Sequence, residues 1–271
     1  MHALLNVAVM AARDGGNTLI RSLKKLDKIK VEQKGRNDFV SEADRIAERA
    51  IIDMIHKHYP EHAILAEESG PQGDSEFLWV IDPLDGTTNF LHGFPVFCVS
   101  VALLHKGRPE HAVVYDPLRQ ELFTATRGQG AELDGHRIRV SGVKTMERAL
   151  VGTGFPYRDS NMAMAPYMKM FNAAMAKTSG IRRPGAAALD LCYVAAGRLD
   201  AFWETGLCKW DIAAGALIIR EAGGIITGLD GSDDYLETGH VLTGTPRIYG
   251  GLTRLFAPHI REMFEAEKTS G

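Results

Sequence analysis

One stretch constrains this chain more than any other. Trp79-Val80-Ile81-Asp82-Pro83-Leu84-Asp85-Gly86-Thr87-Thr88-Asn89-Phe90 is an apolar run that breaks abruptly into two acids, a proline, a glycine and hydroxyl side chains. It reads as a buried strand delivering carboxylates into a turn. Pro83 fixes its own φ and steers Asp82 away from helical backbone, so the chain must bend there, while Gly86 lets the backbone approach a bound group. Thr87, Thr88 and Asn89 suit the opening of a helix, whose first N–H groups lack intrahelical partners and attract anions. The segment therefore offers hard oxygen ligands for a cation beside donors for a phosphate. Mg²⁺ takes oxygen ligands in near-octahedral geometry, a demand that Asp82, the carbonyl of Leu84 and Asp85 meet. The plain alternative is a turn whose acids only accept from local N–H groups.

A second alternative is chemical. Haloacid dehalogenase-type phosphatases also carry an Asp…Asp-Gly-Thr string, with a nucleophilic Asp two residues before the second acid. Asp82 and Asp85 are three apart, which reads as metal ligation and not as phosphoaspartate chemistry.

The rest of the chain is that of an ordinary globular protein. Its 271 residues, 45% hydrophobic and 24% charged, suffice for one sizeable or two modest cores. A net charge of -3 argues against a broadly nucleic-acid-binding surface, and no direct nucleic-acid contact is expected. Met1 to Ala12 lacks the basic start of a signal peptide, and no run approaches the ~20 apolar residues of a membrane span. Cys98, Cys192 and Cys208 fall in no CxxC spacing and the ten histidines are scattered along the chain, so reduced thiols in a cytoplasmic protein are expected and zinc is not.

In chain order, Leu4 to Leu26 reads as a helix loosened at Gly15-Gly16, Ile29 and Val31 as a strand, and Lys34 to Asp38 as a charged loop. Ser41-Glu42-Ala43-Asp44 opens a second helix, with Ile46, Ala47, Ala50, Ile51, Met54 and Ile55 inward until Tyr59-Pro60 stops it. Ala63 to Ala66 is a short strand ending in Glu67-Glu68-Ser69. Short strands at Cys98 to Leu104, His111 to Tyr115, Leu122 to Thr126 and Ile138 to Val140, with an Asp134-Gly135 hairpin signal, predict an antiparallel meander. The pattern then turns to alternation. Strands are expected near 150–153, 181–183, 201–204, 225–227 and 241–243, with helices over about 162–177, 186–196, 211–222 and from Thr245-Pro246 to about 267. The expected organisation is an α+β layer over 1–145 and an α/β layer over 146–271. Met164, Met168 and Met175 read as core or as an adaptable interface. Two roles stay open for Asp44, three residues after Ser41: half of a capping box, or part of a site. Asp211 is equally readable as the N-cap of its helix.

Asp82-Pro83-Leu84-Asp85-Gly86-Thr87-Thr88-Asn89 resembles the central motif of the inositol monophosphatase family of lithium-sensitive, Mg²⁺-dependent phosphatases. Glu67-Glu68-Ser69 resembles the family's upstream acid motif and Trp210-Asp211-Ile212-Ala213-Ala214-Gly215 its downstream Trp-Asp motif. The three occur in the family's order, and the likeness runs the length of the chain. The resemblance implies a layered α-β-α-β-α sandwich of the inositol monophosphatase and fructose bisphosphatase type. It implies that Glu67, Asp82, Leu84, Asp85 and Asp211 hold two or three Mg²⁺ ions. Four such carboxylates repel by about 4 kcal/mol per pair at ~4 Å and an effective dielectric of 20, so they need cations. Glu67, and Thr87 with Asp44 behind it, would orient the attacking water. Gly86 and Thr87 would hold phosphate, while Glu204, Asp211 and the Ala187 backbone would hold hydroxyls of the alcohol. Lys34 lies in a loop that in the family can help hold a further metal. Ala186 stands where many members carry Thr or Ser, so one hydroxyl near the substrate is missing.

The implied activity is hydrolysis of inositol 1-phosphate and related polyol phosphates, small-molecule phosphate monoesters, by a homodimer. Other branches of the superfamily hydrolyse nucleotide 3'-phosphates or fructose 1,6-bisphosphate through the same metal site. Some bacterial members are associated with transcription antitermination through RNA polymerase and Nus factors, a role from a different class. Arg182-Arg183 is a candidate docking pair for such a partner, or simply solvated surface.

Overall fold

The computed structural model describes residues 3–35, 38–155 and 164–270. Helix α1 (Ala3–Leu23) turns Leu5, Ala8, Ala12 and Leu19 inward at helical spacing. It is not loosened at Gly15-Gly16. Both glycines are buried, Gly15 against Ile51 and Gly16 against Tyr115, so their small size permits close packing. The expected charged loop is largely a hairpin of β1 (Val31–Gly35) and β2 (Asp38–Ser41), with residues 36 and 37 outside the described ones. Helix α2 (Glu42–His58) follows. Its inward stripe is Ala43, Asp44, Ala47, Glu48, Ile51 and Ile55, whereas Ile46, expected inside, is 46% exposed. Two acids therefore occupy the buried face of an otherwise apolar helix.

Next come β3 (Ala63–Ala66), the unforeseen short β4 (Gly70–Gln72), β5 (Phe77–Asp85) and the single-turn helix α3 (Thr87–Leu91). The meander is β6 (Cys98–His105), β7 (Arg108–Asp116), β8 (Glu121–Thr126), β9 (Gly130–Leu133) and β10 (His136–Arg137). The Asp134-Gly135 hairpin is closed by β9 and β10, and residues 138–140, expected as a strand, form none. There the N–H groups of Ile138 and Val140 bond to Ala131 and Ala222, leading the chain off the sheet. The eight strands run in the order β10-β9-β8-β7-β6-β5-β3-β4, antiparallel except for the parallel pair β3 and β5.

The second half comprises β11 (Leu150–Thr153), α4 (Met164–Lys177), β12 (Gly180–Arg182), α5 (Ala187–Ala195) and β13 (Ala201–Glu204). It continues with α6 (Lys209–Glu221), β14 (Ile225–Thr227), the unforeseen α7 (Tyr235–Thr238), β15 (Val241–Gly244) and α8 (Pro246–Ser270). Residues 162 and 163, expected to begin α4, lie outside the described ones. The second sheet has the order β12-β11-β13-β15-β14, with β12, β11 and β13 parallel. Met164, Met168 and Met175 are 43%, 36% and 58% exposed, so they are not core.

Strand alternation sorts the layers. On β5, Trp79 and Ile81 face α1 and α2, while Val80 faces α5 and α6. The far side of the second sheet, through Val151, Trp203 and Leu242, packs on Tyr167 and Met170 of α4 and Leu252 and Phe256 of α8. The result is α1/α2, eight strands, α5/α6, five strands, α4/α8: a five-layer α-β-α-β-α sandwich. The end of β5 and the first turns of α5 and α6 converge where the middle helical layer meets the first sheet.

Candidate metal and phosphate site

Residues three apart on a regular strand point to opposite faces. Asp82 pairs with Ser100 and Asp85 with Cys98, so three steps along β5 match two along β6. This one-residue bulge at Pro83 brings both carboxylates to the same side. Asp211 joins them from the first turn of α6, and carboxylate oxygens of Asp82, Asp85 and Asp211 all lie within 4.8 Å of one another. Glu67, just past β3, is partly buried and hydrogen-bonds the Asp82 carboxyl, so it flanks the trio on the Asp82 side.

Local bonds fix each acid. Asp82 Oδ1 accepts from Leu84 N–H at 2.9 Å, and Asp85 Oδ2 accepts from Ala188 N–H at 2.7 Å. The Ala187 N–H and the Cys98 thiol, with Sγ at 3.7 Å, also donate to Asp85. Asp211 is the third residue of α6, not its N-cap, because the helix starts two residues earlier than expected. Its Oδ2 accepts from Cys208 N–H at 2.7 Å, closing a capping box. The Leu84 side chain is anchored in the core under α1 and α2, and its carbonyl accepts from Thr87 Oγ1 at 3.0 Å.

Asp44 closes the capping box of α2 and with the same carboxylate also reaches Thr87. Oδ2 accepts from Ser41 N–H at 2.9 Å and Ser41 Oγ at 2.6 Å, completing the cap of α2, while Oδ1 lies 3.1 Å from Thr87 Oγ1. The two oxygens of one carboxylate thus face different tasks. Gly86, at φ 92°, precedes α3, and a side chain there would strike the Val96 carbonyl at 2.9 Å; only glycine fits.

The electrostatics favour a cation. Burial, and then the charges of Glu67, Asp85 and Asp211, push Asp82 well above the usual carboxylate range. Burial and Asp211 push Asp85 up to about 7 against the pull of its N–H donors. Burial also raises Asp44. Like charges this close and this dry are tolerable together only with positive charge among them. The donors are oxygens throughout, and burial keeps the Cys98 thiol protonated, so the set suits a hard ion such as Mg²⁺ and not a thiophilic metal. The Leu84 carbonyl keeps a second lone pair for such an ion.

Glu204 ends β13, half-buried, near the buried Asp190 carboxyl of α5. Asp190 lies within electrostatic reach of Asp85 as well, so Glu204 borders the same region. The backbone of Lys34 belongs to β1, but its side chain is not among those described.

Three residues with a part in the site were missed. Glu48, one turn after Asp44 on the same buried face, accepts the Glu68 N–H at 2.8 Å and fixes the Glu67-Glu68 turn; the i, i+4 spacing of two acids was the available signal. Asn89 donates through Nδ2 to the carbonyls of Val96 at 2.8 Å and Pro184 at 2.9 Å, tying α3 to the entrance of α5. Cys98 carried no signal, since a thiol in an apolar strand reads as core.

Residues 1–262 match the model of the inositol monophosphatase family. The chain is 53% identical over 265 residues to the Nus factor SuhB of Pseudomonas aeruginosa, covering 96% of this chain and 98% of that protein. Among solved structures, the extragenic suppressor protein suhB of Bartonella henselae superposes with a TM-score of 0.91 at 44% identity, covering 94% of this chain and 98% of that one. The inositol monophosphatase of Anabaena (Nostoc) sp. gives 0.83 at 38% identity, covering 94% and 95%.

Proposed function

Because this chain belongs to the inositol monophosphatase family, we propose that it is a Mg²⁺-dependent, Li⁺-sensitive phosphatase acting on inositol 1-phosphate and related polyol phosphates. The observation that carries this reading is the meeting of Asp82 and Asp85 with Asp211, from the other half of the chain, in one buried group of oxygens.

On this reading Asp82, Asp85, Asp211, Glu67 and the Leu84 carbonyl would hold two or three Mg²⁺ ions. Bound Mg²⁺ lowers the pKa of water and draws charge from the phosphate and the departing oxygen. Glu67 accepts a proton from the attacking water. The Thr87 hydroxyl donates a hydrogen bond to Asp44 or the Leu84 carbonyl, leaving its oxygen lone pairs to accept from and orient that water. The N–H groups of Gly86 and Thr87 hold phosphate oxygens at the opening of α3. Glu204, Asp211 and the Ala187 backbone hold hydroxyls of the alcohol. Water attacks phosphorus opposite the ester oxygen, the bond to the alcohol breaks, the departing oxygen takes a proton from solvent water, and no covalent enzyme intermediate forms. Residues 1–145 then contribute the water and phosphate machinery, and 146–271 the last carboxylate and the substrate hydroxyl contacts. Lys34 is proposed only as a loop contribution. The active species is taken to be a cytoplasmic homodimer; among the described residues no helix is long and apolar enough to cross a membrane.

Phosphate release from inositol 1-phosphate, fructose 1,6-bisphosphate and a nucleotide 3'-phosphate, with and without Mg²⁺ and Li⁺, tests the reading. The expected result is Mg²⁺-dependent turnover fastest on the inositol ester. Turnover of none of the three at any Mg²⁺ concentration rejects it.

A second reading is supported by the Pseudomonas aeruginosa relative's name, Nus factor SuhB. Under it the chain also binds RNA polymerase or Nus factors through a surface separate from the carboxylates. Capture of polymerase and NusA by wild-type and Asp85→Asn protein distinguishes the two: equal capture supports a separate surface, and no capture by either rejects it.

A further inference from the structure

The parallel pairing of β11 with β13 matches Thr153 to Trp203, which sets the next residues, Gly154 and Glu204, abreast at the ends of their strands. Partners in register on adjacent strands project to the same side of a sheet. The empty side-chain position of Gly154 is therefore on the side that Glu204 uses, and Glu204 fills it. A methyl group at Gly154 would overlap the carboxylate carbon and both carboxylate oxygens of Glu204, the three atoms nearest to it. Gly154 has no left-handed backbone to explain a glycine. The backbone beneath is fixed: Tyr167 OH donates to the Gly154 carbonyl, and Thr153 Oγ1 lies 2.8 Å from Tyr167 OH and 3.0 Å from the Trp203 carbonyl. With this support buried, a side chain at 154 has no room to shift, and the Glu204 carboxylate must give way.

We propose that Gly154 is a positioning and specificity-determining residue: its missing side chain is the seat of the Glu204 carboxylate and fixes where that carboxylate meets the hydroxyls of a polyol phosphate. This rests on the proposed phosphatase reading for the identity of the substrate, but not for the placement of Glu204. Gly154→Ala swings the carboxylate out of its seat. Glu204→Asp on the Gly154→Ala background withdraws it by one methylene and clears the methyl group.

The experiment compares kcat and KM for inositol 1-phosphate with those for phenyl phosphate, which offers Glu204 no hydroxyl. For Gly154→Ala the expected result is a KM for inositol 1-phosphate raised about tenfold, the scale of one lost hydrogen bond to a charged group. The kcat/KM for phenyl phosphate stays within about twofold, and Gly154→Ala/Glu204→Asp recovers part of the inositol ester KM. Equal loss on both substrates, an unchanged KM, or no recovery in the double variant overturns the proposal. If wild-type protein hydrolyses neither substrate, the phosphatase reading fails on its own. Calorimetric titration with free inositol then decides Gly154: weaker binding by Gly154→Ala supports it, and equal or absent binding in both proteins overturns it. Should Gly154→Ala not fold, the proposal requires that the double variant fold and bind.

Discussion

The amide of Ala188 donates to Asp85 Oδ2 at 2.7 Å across 103 residues of chain, joining the first turn of α5 to the end of β5. Asp85 is therefore held by the second half of the polypeptide as well as by its own strand. Asp85→Asn keeps an acceptor for that amide and removes one of three crowded charges. The expected outcome is a loss of phosphatase activity of at least about 100-fold, since even outer partners of metal ligands contribute 10- to 100-fold. The metal-free protein should melt no lower than wild type. Phosphate release and thermal scans check both, and near wild-type turnover rejects the ligand role.

Ions that bind only the folded state stabilise it by mass action, by about 2.7 kcal/mol at 100 times Kd. Adding Mg²⁺ to chelator-treated protein should raise Tm by at least about 5 °C, at the few degrees per kcal/mol usual for a chain of this size. Asp211→Asn should remove most of that rise. A Tm indifferent to Mg²⁺ in wild-type protein contradicts the proposed centre.

Asp44 divides its oxygens between the cap of α2 and Thr87, so the two duties are separable by mutation. Ser41→Ala should cost about 1 kcal/mol of stability, as loss of a cap does, with little effect on kcat. Thr87→Ala should lower kcat about 100-fold with Tm nearly unchanged, and Thr87→Ser should retain most activity because the hydroxyl remains. Urea unfolding and steady-state kinetics on the three variants separate the effects. A fully active Thr87→Ala refutes the proposed part of its hydroxyl.

His62 gives a pH dependence far from the metal centre. Its ring stacks between Tyr59 and Phe77, each at 4.7 Å, and its Nδ1 accepts from Trp79 Nε1 at 3.1 Å. Burial lowers its pKa below 6.5. The unfolded chain therefore takes up the proton first, so this contribution is complete above pH 6.5 and declines as pH falls from there through the folded value. Protonation also sets two donors against each other at Trp79. Thermal midpoints from pH 7.5 to 5 should fall more steeply for wild type than for His62→Phe, and parallel slopes would rule the effect out.

Regular elements were legible where one signal ruled. Ala63–Ala66, Leu150–Thr153, Ala201–Glu204 and Ile225–Thr227 match their expected bounds, because each is a short apolar run closed by polar or glycine residues. The expectation failed at Ile46, where apolar character pointed inward but the helix turned Asp44 and Glu48 to the buried face instead. Tertiary demand for acids beside Thr87 and the Glu68 amide outweighs hydrophobicity there. It failed again at 138–140, where Ile138 still bonds back to Ala131 but the Val140 N–H turns to the Ala222 carbonyl and the chain leaves the sheet. Asp82 and Asp85 stood out because Pro83, Gly86 and the threonines crowd around them, whereas Asp211, at the head of an apolar helix, read on its own as a cap. The donors to Asp85 were not, because Cys98 and the amide of Ala188 belong to apolar segments that acquire a polar role only when distant elements meet.

The amide of Asn89 grips the carbonyls of Val96 and Pro184 at once, spanning 95 residues from itself to the latter. Together with the Asp85–Ala188 bond it makes the grouping of the three acids depend on tertiary assembly, so affinity for the proposed ion would report on that assembly. A fragment ending before residue 146 would retain Asp82 and Asp85 but neither Asp211 nor the α5 amides, and the repulsion between its acids would go unrelieved. If the proposed Mg²⁺ centre forms, the ion would be a late clasp in folding, and a mutation that loosens the seam beside Asn89 would register first as a weaker hold on it.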